Sequence, residues 1–189
     1  MTITDAQTDL RRAYVGGGPG AFVSGLLWFV AAWVEGNHGT RTAFITLFFG
    51  GMLIYPLGLA ASRLLFRRMR ESRDNPMGLV ALESTIAMIG CLLAAWLILP
   101  FEPALVFPLA AVAVGTHYFV FKTAYGDRLY WLLATLITAV GLAEIFDVTS
   151  LPGGPILAVG VIELLFAVVL TLRALKAGAK GEGLSPGGP

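Results

Sequence analysis

Six stretches of this sequence are each apolar for about as many residues as a helix needs to cross a lipid bilayer. A spanning helix takes about 20 mostly apolar residues, and these stretches lie at about residues 14–34, 42–66, 77–99, 104–121, 129–146 and 154–172. Only 13% of the residues are charged, about half the usual share in a soluble domain. Few polar side chains therefore remain to cover a water-facing surface, and the sequence predicts an integral membrane protein.

The apolar stretches are continuous, which predicts helices. Lipid offers no hydrogen-bond partner to the backbone, so only helices and closed barrels span a membrane, and a barrel would show alternating segments of about ten residues. We expect an all-α, polytopic transmembrane helical bundle of about six spans over residues 14–175. A cytoplasmic segment, residues 1–13, precedes it. A disordered cytoplasmic tail rich in Gly, Pro, Ser and Lys, residues 176–189, follows.

The distribution of basic residues predicts the orientation. Of the 13 Lys and Arg residues, all except Arg41 fall on one side of the six alternating spans. Basic residues collect on the cytoplasmic side of membrane proteins, so we expect both termini inside a bacterial inner membrane. The first apolar stretch is longer than a usual secretion-signal core, and we expect it to be a retained anchor. In the second-to-third connection, Arg67, Arg68 and Arg70 are candidates for contact with anionic lipid headgroups.

Glu163 is the foremost candidate for a functional residue, because it lies near the middle of the sixth apolar stretch. An ionisable group in hydrocarbon costs at least about 2.5 kcal/mol, so it usually has a reason to be there. Gly160 and Ala167 put small residues on the same helical face, which favours close approach of a neighbouring helix. Glu163 is therefore a candidate proton, cation or substrate site, or else a neutral group that hydrogen-bonds to a neighbouring helix for packing.

Glu83 and His117 form a second candidate site. Each lies about 7 to 10 Å inside the cytoplasmic boundary of its own span at 1.5 Å of rise per residue, so adjacent helices could bring the two side chains together. A carboxylate beside a histidine suits proton relay. The alternatives are a structural hydrogen bond, or a glutamate that reaches the arginine-rich connection.

Other polar positions support weaker expectations. Glu144 and Asp147 lie three residues apart at the outer end of the fifth span; a solvated mouth or a loop anchor is favoured there over a transport-path role. With two histidines and the single Cys91, no metal site is expected. The chain has no phosphate-binding or dinucleotide motif, so no cofactor is expected, and its net charge of +1 gives no reason to expect nucleic acid. Pro56 predicts a kink in the second span.

The opening run from Arg11 to Gly20, RRAYVGGGPG, leads into a Trp-rich apolar segment. In this it resembles an uncharacterised family of small bacterial integral membrane proteins with six spans. The resemblance implies the same fold over most of the chain, and no functional residue comes with it.

Three functions fit these observations. The first is a small transporter or permease, expected as a homo-oligomer in the bilayer, with Glu163, Glu83, His117 and Glu144 as candidates for a proton or cation path. The second is a non-catalytic assembly or partner protein. The third is a lipid-modifying enzyme built on Glu83, Ser84 and His117, which no nucleophile motif supports, so we expect that the chain is not an enzyme and assign no catalytic residue.

Overall fold

The computed structural model describes residues 1–148 and 151–182, with side chains through residue 178. This part of the chain is helical and has no strand, which confirms the all-α prediction for it. Two short 3₁₀ helices, Val15–Gly17 and Pro103–Leu105, accompany α1 (Ile3–Ala13), α2 (Gly18–Gly51), α3 (Ile54–Leu64), α4 (Met77–Ile98), α5 (Val106–Tyr125), α6 (Leu129–Ile145) and α7 (Gly154–Glu182).

Several of these helices are long and apolar enough to cross a membrane, judged by length and composition. The described residues contain four such stretches, Val15–Gly51, Met77–Ile98, Pro103–Tyr125 and Gly154–Gly178. Helix α6 is also apolar but shorter. The fold is therefore that of a helical bundle whose composition suggests a membrane protein.

Helix α2 folds back on itself at Gly39. The backbone there has φ 80° and ψ 166°, outside the helical region, and a positive φ of this kind is readily adopted only by glycine. The first limb of α2 comprises residues 18–38, and the second limb comprises residues 40–51. A β-carbon on Gly58 of α3 would lie 3.0 Å from the Cα of Gly20 in the first limb. The second limb and α3 therefore run antiparallel along the first limb.

The helix is interrupted between the second limb and α3, where the sequence predicts a kink. Helix α2 ends at Gly51 and α3 begins at Ile54. Pro56 has no backbone N–H, and its ring would clash with the carbonyl group four residues earlier in a continuous helix. The interruption places Pro56 in the first turn of α3, where the missing N–H leaves no hydrogen bond unmade.

Glycine contacts bring some helices together at backbone distance. A β-carbon on Gly115 of α5 would lie 2.6 Å from the backbone N of Thr138 in α6, so only glycine allows this approach. Helix α4 lies at the edge of the bundle and packs chiefly on α5. Its side chains Leu79, Ile86 and Leu97 are 63%, 61% and 73% exposed, which is ordinary for a helix that faces lipid.

The N-terminal segment, predicted without assigned structure, is a helix docked on one end of the bundle, here called the α1 end. Helix α1 begins with a reciprocal capping box between Thr2 and Asp5, an arrangement that satisfies two free backbone donors. It buries Ala6, Leu10 and Ala13 against the bundle. At the other terminus, α7 continues through Glu182, beyond residue 176 where a disordered tail is predicted; residues 183–189 lie outside the described part.

Candidate functional site

Glu163 lies in the interior of the bundle and is 0% exposed. Tyr118 of α5 donates a hydrogen bond of 2.8 Å from its hydroxyl group to Oε1 of Glu163. The second carboxyl oxygen, Oε2, is buried and has no hydrogen-bond partner among the described residues. Ser24 of α2, itself 5% exposed, lies beside both groups. Three helices thus converge on one carboxyl group, of which a single oxygen has a hydrogen-bond partner among the described residues.

Small residues on α2 and α7 position this carboxyl group. A β-carbon on Gly25 would lie 3.1 Å from the carbonyl oxygen of Gly160, and one on Gly160 would lie 3.3 Å from the carbonyl oxygen of Gly25. The two backbones therefore touch one turn away from Glu163, as the small residues at 160 and 167 predict. Close backbone approach shields a polar side chain from lipid and puts it within reach of the neighbouring helix.

A column of three tyrosine rings runs from Glu163 to the α1 end of the bundle. Tyr118 stacks on Tyr130 with ring centroids 6.2 Å apart, and Tyr130 stacks on Tyr125 at 5.2 Å. Tyr130 donates a hydrogen bond of 2.7 Å from its hydroxyl group to the carbonyl oxygen of Gly16. We call Tyr118, Tyr130 and Tyr125 the tyrosine column. Buried tyrosines usually find such partners for their hydroxyl groups.

The tyrosine column is not predicted from the sequence, although the sequence carries a signal for it. Tyr118 follows the candidate His117 directly, and Tyr125 and Tyr130 flank a short turn that must bring α5 and α6 together. Their partners come from other helices, however, so the sequence pattern alone gives no contact.

The predicted pair of Glu83 and His117 is not formed, and this expectation is wrong. His117 instead hydrogen-bonds through Nδ1 to Oγ of Ser84, at 2.8 Å, and the same hydroxyl group also donates to the His117 carbonyl oxygen at 3.3 Å. Glu83 is exposed on α4. Since successive helical residues point about 100° apart, the α4 rotation that turns Ser84 towards α5 turns Glu83 away.

His117 and Glu163 also belong to different contacts between helices. His117 contributes to the α4–α5 contact and Glu163 to the contact among α2, α5 and α7. The three residues expected in one path therefore do not share a single site. The Ser84–His117 pair holds two helices together by two hydrogen bonds, which is the arrangement of a structural contact between helices.

Glu144 anchors the connection between α6 and α7. Its Oε1 accepts a hydrogen bond of 3.1 Å from the backbone N–H of Leu151. This geometry fits the loop-anchor role that the sequence favours for it. Asp147 is exposed and has a positive φ of 51°, as expected of a residue in the turn that follows a helix.

The three arginines predicted to meet lipid headgroups lie in the connection between α3 and α4 at the α1 end. Arg67 and Arg70 are exposed, and Arg68 is half-buried. The position that a β-carbon on Gly178 would occupy lies 3.4 Å from the Arg68 guanidinium, so this side chain reaches the end of α7. The backbone carbonyl of Arg70 accepts a hydrogen bond from Arg12 at 3.3 Å. Contact with lipid headgroups stays a prediction.

Two surface clefts have none of these groups in their lining. A cleft of about 460 Å³ lies near the reversal at Gly39, with His38, Arg41 and Trp96 in its lining, and a smaller apolar groove of about 330 Å³ adjoins it at Phe48 and Leu97. Among the side chains of residues 1–148 and 151–178, no group of three His, Cys, Asp or Glu is placed to hold a metal ion.

These features define an all-helical bundle with apolar helices compatible with a membrane and a buried, partly unsatisfied carboxyl group. The chain belongs to a family of unknown function, DUF7010, which matches residues 3–173. This agrees with the resemblance to an uncharacterised family. Comparison with curated proteins and with solved structures gives no match.

Proposed function

We propose that this chain is an integral membrane protein of the bacterial inner membrane with six spans and both termini in the cytoplasm. The six spans are the first limb of α2, the second limb with α3, and helices α4, α5, α6 and α7. Helix α6 has 17 residues, at the short end of the range for a spanning helix. The basic residues support the orientation, because Arg41 lies by the reversal at Gly39 while the arginine-rich connection lies at the α1 end.

Cysteine labelling tests this topology. In a Cys91→Ala background, Asn37→Cys should react with a membrane-impermeant thiol reagent added to intact spheroplasts. Arg67→Cys should react only after permeabilisation. Labelling of Arg67→Cys in intact spheroplasts would contradict the proposed orientation.

In this membrane protein, the proposed activity is that of a small transporter or permease with Glu163 as its proton- or cation-responsive group. The observation that carries the proposal is the burial of Glu163, with one carboxyl oxygen hydrogen-bonded to Tyr118 and the other without a hydrogen-bond partner among the described residues. An ionised carboxylate in hydrocarbon with a single hydrogen bond is costly. A proton or a cation at Oε2 would remove that cost, and its arrival and departure would switch the charge of the core.

The proposed path includes fewer residues than the sequence suggests. Glu163 and Tyr118 form its centre. Glu83 lies outside this path because it is exposed on the edge helix α4. This difference supplies a matched control for mutagenesis.

Proton flux into proteoliposomes tests the activity. Liposomes that contain a pH-sensitive dye and either Na⁺ or K⁺ receive an inward proton gradient, and acidification is compared with protein-free liposomes. We expect faster acidification with the wild type and with Glu83→Gln, and a return to the protein-free rate with Glu163→Gln. If Glu163→Gln behaves as the wild type, or the wild type carries no flux with either cation, the proposal is wrong.

A non-catalytic assembly or partner protein is the second candidate. It is favoured by the separation of His117 from Glu163, and by α4, which packs chiefly on α5 and leaves most of its surface open to another chain. Purification in a mild detergent tests it. A protein that purifies without a stoichiometric companion, and as a monomer by mass, would count heavily against this function.

A further inference from the structure

Helix α1 is fastened to the bundle by hydrogen bonds on both of its sides. On one side, Oδ2 of Asp9 accepts from the backbone N–H of Ser72 at 2.7 Å and from the Asn75 side-chain amide at 3.0 Å. The same amide donates to the carbonyl oxygen of Ala6 at 2.9 Å. These contacts tie α1 to the connection between α3 and α4.

On the other side, α1 is tied to the last turn of α5. Gln7 donates from its side-chain amide to the carbonyl oxygen of Thr123 at 2.8 Å. Arg11 donates from its guanidinium to the carbonyl oxygen of Tyr125. Leu10, between these two contacts, is 1% exposed. Helix α1 therefore bridges the connection between α3 and α4 and the end of α5, which are distant in the chain.

A sharp turn joins α1 to α2 and rests directly on the tyrosine column. Three successive residues, Val15, Gly16 and Gly17, have positive φ values of 51°, 65° and 83°. A β-carbon on Gly17 would lie 2.0 Å from the hydroxyl oxygen of Tyr130. The turn and α1 thus close the end of the column whose other end, Tyr118, hydrogen-bonds to Glu163.

We infer that α1 is an inner gate: docked, it closes the route between the cytoplasm and Glu163 along the tyrosine column, and undocked, it opens that route. The inference rests on the proposed role of Glu163 as a proton site. Its latch is the pair of contacts that Asp9 and Asn75 make across the α1 interface. The left-handed turn at residues 15–17 is the hinge, because two of its three residues are glycines that tolerate several backbone conformations.

Two exchange measurements on the full chain in lipid nanodiscs test the gate. Amide hydrogen exchange over residues 3–13 reports the docking of α1. The infrared band of the protonated carboxyl group, assigned by its loss in Glu163→Gln, shifts as its proton exchanges in D₂O and so reports access to Glu163. The variants are Asp9→Asn and Asn75→Ala, which break the latch from opposite sides. Asp74→Asn is the matched control, because Asp74 is exposed in the same connection as Asn75 and makes no hydrogen bond to α1 among the described residues.

We expect both latch variants to accelerate amide exchange in α1 by about tenfold or more, since a hydrogen bond to a charged group contributes at least that factor to an equilibrium. The Glu163 carboxyl proton should exchange faster in the same variants, and Asp74→Asn should leave both rates unchanged. Unaltered α1 exchange in both variants would overturn the latch. Faster α1 exchange with unaltered carboxyl exchange would overturn the gate.

These outcomes are separable from failure of the transport proposal. That proposal fails if Glu163→Gln retains wild-type proton flux, which is measured in a different experiment. A transporter whose α1 exchange and carboxyl exchange are unlinked would keep Glu163 as the proton site and lose only the gate.

Discussion

A close backbone contact between α5 and α6 gives a sharp quantitative prediction. In Gly115→Ala, the new β-carbon would lie 2.4 Å from Oγ1 and 2.6 Å from the backbone N of Thr138. Ordinary van der Waals contact begins at 3.4 Å. Because a backbone atom cannot rotate away, α5 and α6 must separate by roughly 1 Å, which forfeits a quarter to a half of the dispersion energy of each contact across the interface.

The expected cost is that of overpacking, about 1–3 kcal/mol and occasionally more. Alanine also stabilises a helix interior by up to about 1 kcal/mol relative to glycine, so the control variant must contain the same substitution of a helical glycine by alanine. Gly90→Ala does this, because Gly90 lies within α4 with nothing near its β-carbon position. The difference between the two variants then isolates the overpacking cost.

Thermal unfolding in a mild detergent, followed by circular dichroism, measures this difference. A chain of this size changes its Tm by about 2–4 °C per kcal/mol, so Gly115→Ala should unfold at least about 2 °C below Gly90→Ala. The near-ultraviolet signal of tyrosine should weaken as well, because Tyr118 on α5 stacks on Tyr130 of α6. Equal unfolding temperatures for the two variants would refute the described contact between α5 and α6.

Three further predictions follow from the site and from α1. Tyr118→Phe leaves the Glu163 carboxyl group without the hydrogen bond from Tyr118 and should lower the free energy of unfolding by about 1–3 kcal/mol. Denaturant titration measures this loss, and adding Glu163→Leu to the variant should recover part of it. Gly17→Ala should loosen α1, because its β-carbon would meet the Tyr130 hydroxyl group at a positive φ, and faster proteolysis within residues 1–16 would reveal it. Burial raises the pKa of Asp9, but hydrogen bonds from Arg12, Ser72 and Asn75 lower it more, so the pKa lies below 3.8. The docking of α1 that ionised Asp9 stabilises should therefore persist above pH 3.8 and be lost in stronger acid. Amide protection in α1, measured as a function of pH, checks this.

Much of the helical architecture was predictable because its causes are local. Each apolar stretch coincides with helix, and Pro56 interrupts the helix near its own position because its ring and missing N–H act on the preceding turn. Gly160 was predictable as part of a packing face, since the helical repeat puts it on the same face as Glu163, three residues later. Such signals need no knowledge of the neighbouring helix.

The candidate site was predictable only in part. Glu163 stands out in the sequence because a carboxyl group amid apolar residues is rare, but its partner Tyr118 does not. The predicted pairing of Glu83 with His117 fails because it was based only on how far each residue lies along its helix. The rotation of each helix about its own axis, which decides where a side chain points, could not be predicted. A shift of one residue, from Glu83 to Ser84, changes the facing direction by about 100°.

The sequence by itself determined that this chain forms long apolar helices, where one of them breaks, and that a single carboxyl group would lie deep among them. Composition and the 3.6-residue repeat act over a few helical turns, so these features are determined by short stretches of the sequence. Only the tertiary structure decided that Tyr118 meets Glu163, that Ser84 replaces Glu83 beside His117, and that α1 covers the tyrosine column. Those outcomes depend on which helices are neighbours and how each is rotated, and these are set by the packing of all the helices together.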